Sequence, residues 1–517
     1  MNDHEIKILT DRLIPVPREL RFSEGEDFLL KDGAVFNVCV QDTSGVEEKI
    51  NSWSALFWNI KPALTLSSCP LPENKSACGD CRTCTKCAGA AAVGANPEAY
   101  TLTVTQEAVT INALGLEGVM NALKTLRQLA EVQRGTARLA GYFIVPCQIK
   151  DEPAVTFRGI HLCIFPETPL WDIERQIRIA AYHKFNYAVI ETWGIFPFES
   201  HPEFCWADKK LDKAELKRLI YLGQELGITL VPQFNLLGHA TASRSVTGKH
   251  AVLSYSPALQ PLFEPEGWTW CLTNPETRKV LTDLVTELYA FYEYPPFFHI
   301  GCDEADNIGT CRECRRKELK SLVKEHICYF HDLFAKQGAR VIMWHDMLLQ
   351  KGDERWQGCI VCGLPEHQLS ELYKELPRDI IIADWQYGAP VEKEGVEADF
   401  WPTAHFFKSE EFPVVVCPWL TQDGMKSLGR FAAKEKLFGL LETTWHISHD
   451  RNFAYIYCTA ACAAWNPEVN PGVTLSTRLA LAHHLRQLGW DTGVDEYIKT
   501  GWNQYQVDPG HHPHSLL

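Results

Sequence analysis

From Pro153 onward one unit recurs: a short apolar run, then a stretch with helical periodicity. The runs occupy residues 157–163, 187–191, 229–234, 297–302, 340–344, 380–385, 414–418 and 437–442. They are short and rich in Val, Ile and Phe, as strands buried on both faces are. Two of the intervening stretches carry clear helix starts. Residues 211–226 open with Asp212 and Glu215 at capping-box spacing, with Leu216, Leu219 and Ile220 on one face. Residues 277–291 follow Asn274-Pro275, a cap residue and a proline at the first helical position. Eight such units in sequence imply a closed (β/α)8 TIM barrel, whose function collects on the loops after the strands.

The fourth run ends in His299-Ile300-Gly301-Cys302-Asp303-Glu304. Adjacent carboxylates do not ionise independently, so one of them suits acid work. An Asp-Glu pair alone reads equally well as a solvated turn. Gly301 shifts the balance toward a site, because glycine lets the backbone approach another group closely. The other strand ends supply Arg158 and His161, Glu191 and Trp193, Asn235 to His239, Trp344 with His345 and Asp346, Asp384 with Trp385 and Tyr387, Trp419, and Glu442 with Trp445. Any one of these tryptophans can be core filler. Together with paired carboxylates they suggest a sugar site, where ring faces stack on aromatics and hydroxyls meet charged groups.

Ordinary retaining glycosidases hold two carboxyl groups about 5 to 5.5 Å apart across the bond they cleave. Two neighbours at the end of one strand approach the sugar from that strand's side of the site and do not flank a bond. A substrate 2-acetamido group can supply the missing nucleophile. In that scheme Glu304 is the acid and later the base, and Asp303 holds the acetamido N–H. The expected substrate is then a sugar bearing an N-acetyl group.

The sequence resembles glycoside hydrolase family 20, the β-N-acetylhexosaminidases. The family's His-x-Gly-Gly-Asp-Glu stands here as residues 299–304, with Cys302 in place of the second glycine. The stretch 151–159, Asp-Glu-Pro-Ala-Val-Thr-Phe-Arg-Gly, is similar to the start of the family's barrel, and Leu237-Gly238-His239 to its Pro-Gly-His. Residues 100–129 resemble the small α/β domain that precedes that barrel. The resemblance implies that Arg158 grips sugar hydroxyls and that His239 belongs to the binding site. It implies that Trp344, Trp385 and Trp445 wall the acetamido pocket, and that Tyr387 donates to the acetamide oxygen. The partner is then a glycan or glycoconjugate ending in β-linked N-acetylglucosamine or N-acetylgalactosamine, with no cofactor for catalysis. Two family motifs are replaced, Asp-x-Ser-Arg-His by residues 161–167 and Trp-x-Glu by Trp445-His446-Ile447.

Three domains are expected: a small α/β domain over 1–150, the barrel over 151–470, and a C-terminal helix and tail, 471–517, packed on the barrel. In the first, residues 13–17, 34–38, 100–104 and 109–113 read as strands and 115–131 as a helix. A cysteine-rich insert, 67–92, lacks periodicity and reads as a loop. The net charge of −15 argues against nucleic acid or an anionic membrane as partner. The nineteen cysteines, an odd number scattered over 517 residues, and the lack of an apolar signal region suit a cytoplasmic protein.

Cys78, Cys81, Cys84 and Cys87 are spaced to chelate a structural zinc, which Cys311 and Cys314 are placed to complete. Two other readings compete with the hydrolase: a non-catalytic sugar-binding barrel, and a metal or redox enzyme that uses the cysteines. Retention of both Asp303 and Glu304 disfavours the first. Against the second, none of the Cys-x-x-Cys pairs lies in the strand-turn-helix setting of a thioredoxin motif.

Overall fold

A computed structural model describes residues 3–68, 96–132, 142–205, 207–240, 253, 256–388, 398–445 and 450–489. Cys78, Cys81, Cys84 and Cys87, and with them the expected metal site of the insert, lie outside the described residues. The chain divides into two compact units. The first comprises residues 1–154, 182–184 and 453–517, and the second 155–181 and 185–452.

The first unit is built on a six-stranded mixed sheet, in the order Glu19–Phe22, Cys147–Asp151, Tyr100–Val104, Ala108–Ala113, Val35–Val40, Ala63–Ser68. Strict alternation sets its faces: Leu102, Val104, Val109 and Ile111 are buried, and the threonines between them are half-buried. The helix Leu116–Leu129 buries Val119, Leu123, Leu126 and Leu129. Two expectations need correction. Residues 13–17 form no strand; they are buried coil containing Pro15 and Pro17, which lack the N–H a ladder needs. The expected boundary at 470 falls at 452, and the helix Leu475–Gln487 belongs to this unit rather than to the barrel. Gln487 accepts from the Tyr182 hydroxyl and donates to the Arg127 carbonyl, while His484 meets His183 at 2.9 Å.

A buried charge sits at the heart of this unit. Lys184 Nζ lies 2.8 Å from Asp151 Oδ2 and 4.3 Å from the Trp465 ring centroid. Asp151 also accepts from the Tyr100 hydroxyl, Trp465 Nε1 and the Arg18 amide. Burial, and then the Asp151 charge, hold the Tyr100 phenol well above its ordinary pKa, so it stays a donor.

The second unit is the expected barrel, closed by eight parallel strands in chain order. They are β1 Phe157–Ile164, β2 Tyr187–Thr192, β3 Thr229–Gln233, β4 Phe297–His299, β5 Arg340–Trp344, β6 Ile381–Asp384, β7 Val414–Val416 and β8 Gly439–Thr443. β1 pairs with β8 to close the ring. Phe157, Val189, Val231, Phe297, Ile342, Ile381, Val415 and Leu441 fill the interior, so the barrel is a packed core. Phe157 and Tyr187 stack at 4.6 Å. Trp344 and Trp385 belong to the same core, with Tyr387 and Trp445 packed against it. β4 stops at His299, short of the expected 302, because Gly301 and Cys302 turn to φ +66° and +74°.

Lys184→Met should lower stability by about 3 kcal/mol or more, since it leaves Asp151 as an uncompensated buried charge. Adding Asp151→Asn should recover part of that loss. Urea unfolding of the two variants beside the wild type measures both.

Candidate active site

The chain after β4 is wound into an unusual backbone. Cys302 and Glu304 both have positive φ, as do His239 after β3 and Trp445 after β8. Such conformations cost roughly 1–3 kcal/mol each for residues other than glycine, and they gather where function demands a fixed geometry. Two glycines make the arrangement possible. A Cβ on Gly238 would sit 2.1 Å from the Asp303 carbonyl oxygen, and one on Gly301 would sit 2.3 Å from Asn235 Oδ1.

Asp303 and Glu304 have different surroundings. The Asp303 side chain is only 5% exposed, whereas that of Glu304 is 39% exposed, so only Glu304 is openly reachable. Asp303 Oδ1 accepts from Asn235 Nδ2 at 3.1 Å, and Asn235 Oδ1 in turn accepts from Gln233 Nε2 at 3.1 Å. This relay sets the amide of Asn235 so that its NH2 faces the carboxylate. His239 Nε2 lies 3.1 Å from Asp303 Oδ2 and 3.4 Å from Glu304 Oε2, bridging the pair. Trp268 packs on the His239 ring at 4.2 Å, and its indole N–H donates to the Glu304 carbonyl at 2.8 Å.

A third carboxylate backs the pair. Asp346 Oδ2 accepts from the Glu304 amide at 2.9 Å, and Oδ1 accepts from Trp385 Nε1 at 3.1 Å. Asp346 is fully buried. Burial pushes its pKa up to about 6, and the Asp303 charge adds to the rise. Cys302, in the place of a glycine, is likewise fully buried. Burial, then the charges of Asp303 and Asp346, hold its thiol far above the ordinary value, and it donates to the Ile300 carbonyl. It is a neutral packing residue.

Aromatic rings line the barrel mouth beside the carboxylates. Trp344 and Trp445 lie 5.5 Å apart, Trp385 and Tyr387 5.6 Å, and Tyr387 and Trp419 5.1 Å. Trp445 Nε1 donates to the Tyr387 hydroxyl oxygen at 2.8 Å. Trp344 is completely buried, so it backs the other rings. His161 packs edge-on to Trp445 at 5.0 Å, and its Nε2 lies 3.4 Å from Glu191 Oε2. The Cys163 thiol reaches the same carboxylate at 3.6 Å.

Most of the residues expected from sequence therefore meet here: Asp303, Glu304, His239, Trp344, Trp385, Tyr387 and Trp445. Arg158 does not. It lies at the start of β1, where its Nη1 donates to the carbonyls of Val155 and Thr156, just ahead of the strand. These bonds hold Nη1 at the start of β1, away from the strand ends that carry the carboxylates. Asn235, Gln233, Asp346 and Trp268 take part without having been assigned a role. Asn235 and Asp346 were visible as polar residues at strand ends, but their pairing with Asp303 and Glu304 crosses between strands.

An eight-stranded parallel barrel with paired carboxylates and an aromatic wall at its C-terminal end defines a glycosidase-type site. Two family models agree with it: "Glycosyl hydrolase family 20, catalytic domain" over residues 206–398, and "Glycosyl hydrolase family 20, domain 2" over residues 10–151. The chain belongs to glycosyl hydrolase family 20. It is 23% identical to a β-hexosaminidase of Porphyromonas gingivalis over 286 residues, 50% of this chain and 36% of that protein. It is 23% identical to hexosaminidase D of Bos taurus over 221 residues, 41% of this chain and 56% of that protein. The chain thus matches between about a third and somewhat over half of the length of these relatives. Among solved structures, the Flavobacterium johnsoniae chitobiase shares the fold with a TM-score of 0.65 at 18% identity, over 97% of this chain and 75% of that one. The Vibrio harveyi exo-β-N-acetylglucosaminidase does so at 0.63 and 17%, over 94% and 78%.

The raised pKa of Asp346 has a signed consequence. A carboxyl favoured in its protonated form by the fold adds stability below its unfolded value, near 4, and that contribution is lost as pH rises through about 6. Thermal unfolding across pH 4 to 7 should show this loss in the wild type, and Asp346→Asn should lack that component.

Proposed function

We propose that this chain is an exo-acting β-N-acetylhexosaminidase that removes terminal β-linked N-acetylglucosamine or N-acetylgalactosamine, with retention, by substrate-assisted catalysis. The observation that carries this reading is the division of labour within one Asp-Glu pair. Glu304 is open to an arriving glycosidic oxygen, while Asp303 is sheltered and held from behind by Asn235. Glu304 protonates the leaving oxygen, and the substrate's acetamido oxygen attacks the anomeric carbon in place of an enzyme carboxylate. Asp303 accepts the acetamido N–H and stabilises the positive charge of the oxazolinium ring. Water, deprotonated by Glu304, then opens the ring.

The surrounding groups suit these steps. The Tyr387 hydroxyl sits in the aromatic wall, accepting from Trp445 Nε1 and meeting the Thr443 side chain, and its O–H is the donor assigned to the acetamide oxygen. Burial holds this phenol well above its ordinary pKa, which keeps it protonated as a donor. Trp385 and Trp445 offer faces for the acetamide methyl and the sugar ring, with Trp344 behind them. His239 lies between the two carboxylates, its Nε2 within 3.4 Å of both.

Glu304→Gln should keep the fold by circular dichroism and lower turnover of an aryl N-acetylglucosaminide by roughly 10² to 10⁴. The loss should shrink when the leaving phenol is acidic enough to depart without a proton. Near wild-type turnover with a poor leaving group would end the assignment. A thiazoline analogue of the oxazoline should inhibit the wild type competitively. Asp303→Asn should weaken its binding by about 10- to 100-fold, the worth of a charged hydrogen bond. Failure of the analogue to bind the wild type would rule out acetamido assistance.

A further inference from the structure

Cys311 and Cys314 were expected to complete a site with the cysteine-rich insert. Among the described residues they meet other partners. Cys271 Sγ lies 3.7 Å from Cys311 Sγ and 3.9 Å from Cys314 Sγ. These three sulfurs and one carboxylate oxygen of Glu264 all fall within 4.8 Å of one another. We propose that Cys271, Cys311, Cys314 and Glu264 bind one structural zinc ion in tetrahedral coordination.

The spacing carries the argument. Disulfide sulfurs are about 2.05 Å apart, and these are not bonded. With zinc–sulfur bonds of about 2.3 Å, the edge of a tetrahedron is about 3.8 Å. The two sulfur separations given above bracket that value. The donor set is also of the right kind, three thiolates and a carboxylate being ordinary zinc ligands.

The immediate surroundings are those of a ligand set. The Cys314 amide donates to Cys311 Sγ at 3.3 Å, the turn that a Cys-x-x-Cys chelate uses to stabilise a charged sulfur. The Thr273 hydroxyl lies 3.2 Å from Cys314 Sγ and 3.5 Å from Cys271 Sγ. Glu264 is fully buried. Its Oε2 accepts from the Cys311 amide and the Thr310 hydroxyl, whereas its Oε1 receives no N–H or O–H donor among the described residues. A buried carboxylate oxygen without such a donor is costly, and a bound cation removes the cost.

The site joins two loops that serve the carboxylate pair. Glu264 and Cys271 flank a small hairpin, closed by the Phe263–Trp270 bridge, which carries Trp268. Cys311 and Cys314 lie on the loop after β4, a few residues beyond Glu304. Thr269 on the hairpin donates to Asn307 on that loop. One ion would tie the hairpin that braces His239 and the Glu304 carbonyl to the loop that Glu304 begins.

The test is zinc content, by elemental analysis, of protein purified without added metal. The wild type should carry zinc. Cys311→Ser/Cys314→Ser should contain about one ion fewer per chain, and Cys81→Ser/Cys84→Ser should retain that ion. Should the first variant fail to fold, cobalt exchanged into the wild type decides the matter. It should give sulfur-to-cobalt charge transfer and the intense visible bands of a tetrahedral centre. Glu264→Gln should alter those bands, and the Cys81→Ser/Cys84→Ser change should not. Metal-free wild type with Cys271, Cys311 and Cys314 open to a thiol reagent would overturn the proposal. So would zinc that disappears with the insert variant and persists without Cys311 and Cys314.

Discussion

The site depends on how Asp303 is held. Its carboxylate is fixed by Asn235 from β3's end, and Asn235 is fixed by Gln233 two residues earlier. The fit leaves no space for a side chain at Gly238 or Gly301. The backbone then passes through the left-handed region at Cys302 and Glu304. This turns two adjacent carboxylates to different uses, one sheltered and one open. A relaxed strand would have sent them to opposite faces. Just before that turn β4 is paired with β3 at Gln233–His299 and with β5 over Phe297–His299.

The electrostatics follow from that packing. Three carboxylates, Asp303, Glu304 and Asp346, are gathered at one barrel rim. The most deeply buried, Asp346, is pushed toward its neutral form. Its two oxygens are both occupied as acceptors, by the Glu304 amide and the Trp385 indole. It therefore links the acid to the aromatic wall: the group that fixes the Glu304 backbone also orients Trp385. On the other side of the pair, the Trp268 hairpin reaches the Glu304 carbonyl and the His239 ring. Glu304 is thus held by its main chain on both sides while its side chain stays exposed.

Much of this was legible in the chain. Eight apolar runs predicted the eight strands, with ends displaced by only a few residues. The run at 297–302 was overestimated because periodicity does not reveal that Gly301 and Cys302 leave the strand. The Asp-Glu pair and the tryptophans at strand ends located the mouth of the barrel. The neighbours of Arg158 in sequence are similar to the family's, and only the structure shows that the residue lies at the start of an eight-residue strand with its Nη1 on the carbonyls just ahead of it. The helix Leu475–Gln487 looked like an appendage of the barrel and instead completes the first unit through Gln487 and His484.

Sequence alone determined the repeating strand and helix pattern, the position of the carboxylates at the end of β4, and the aromatic character of the site. All three are local: each is spelled by residues within a few positions of one another. Tertiary structure decided which residues share work across strands. Asn235 meets Asp303 over 68 positions, Trp445 meets Tyr387 over 58, and Cys271 meets Cys311 over 40. No periodicity encodes such meetings, because they are set by the curvature and register of a closed sheet.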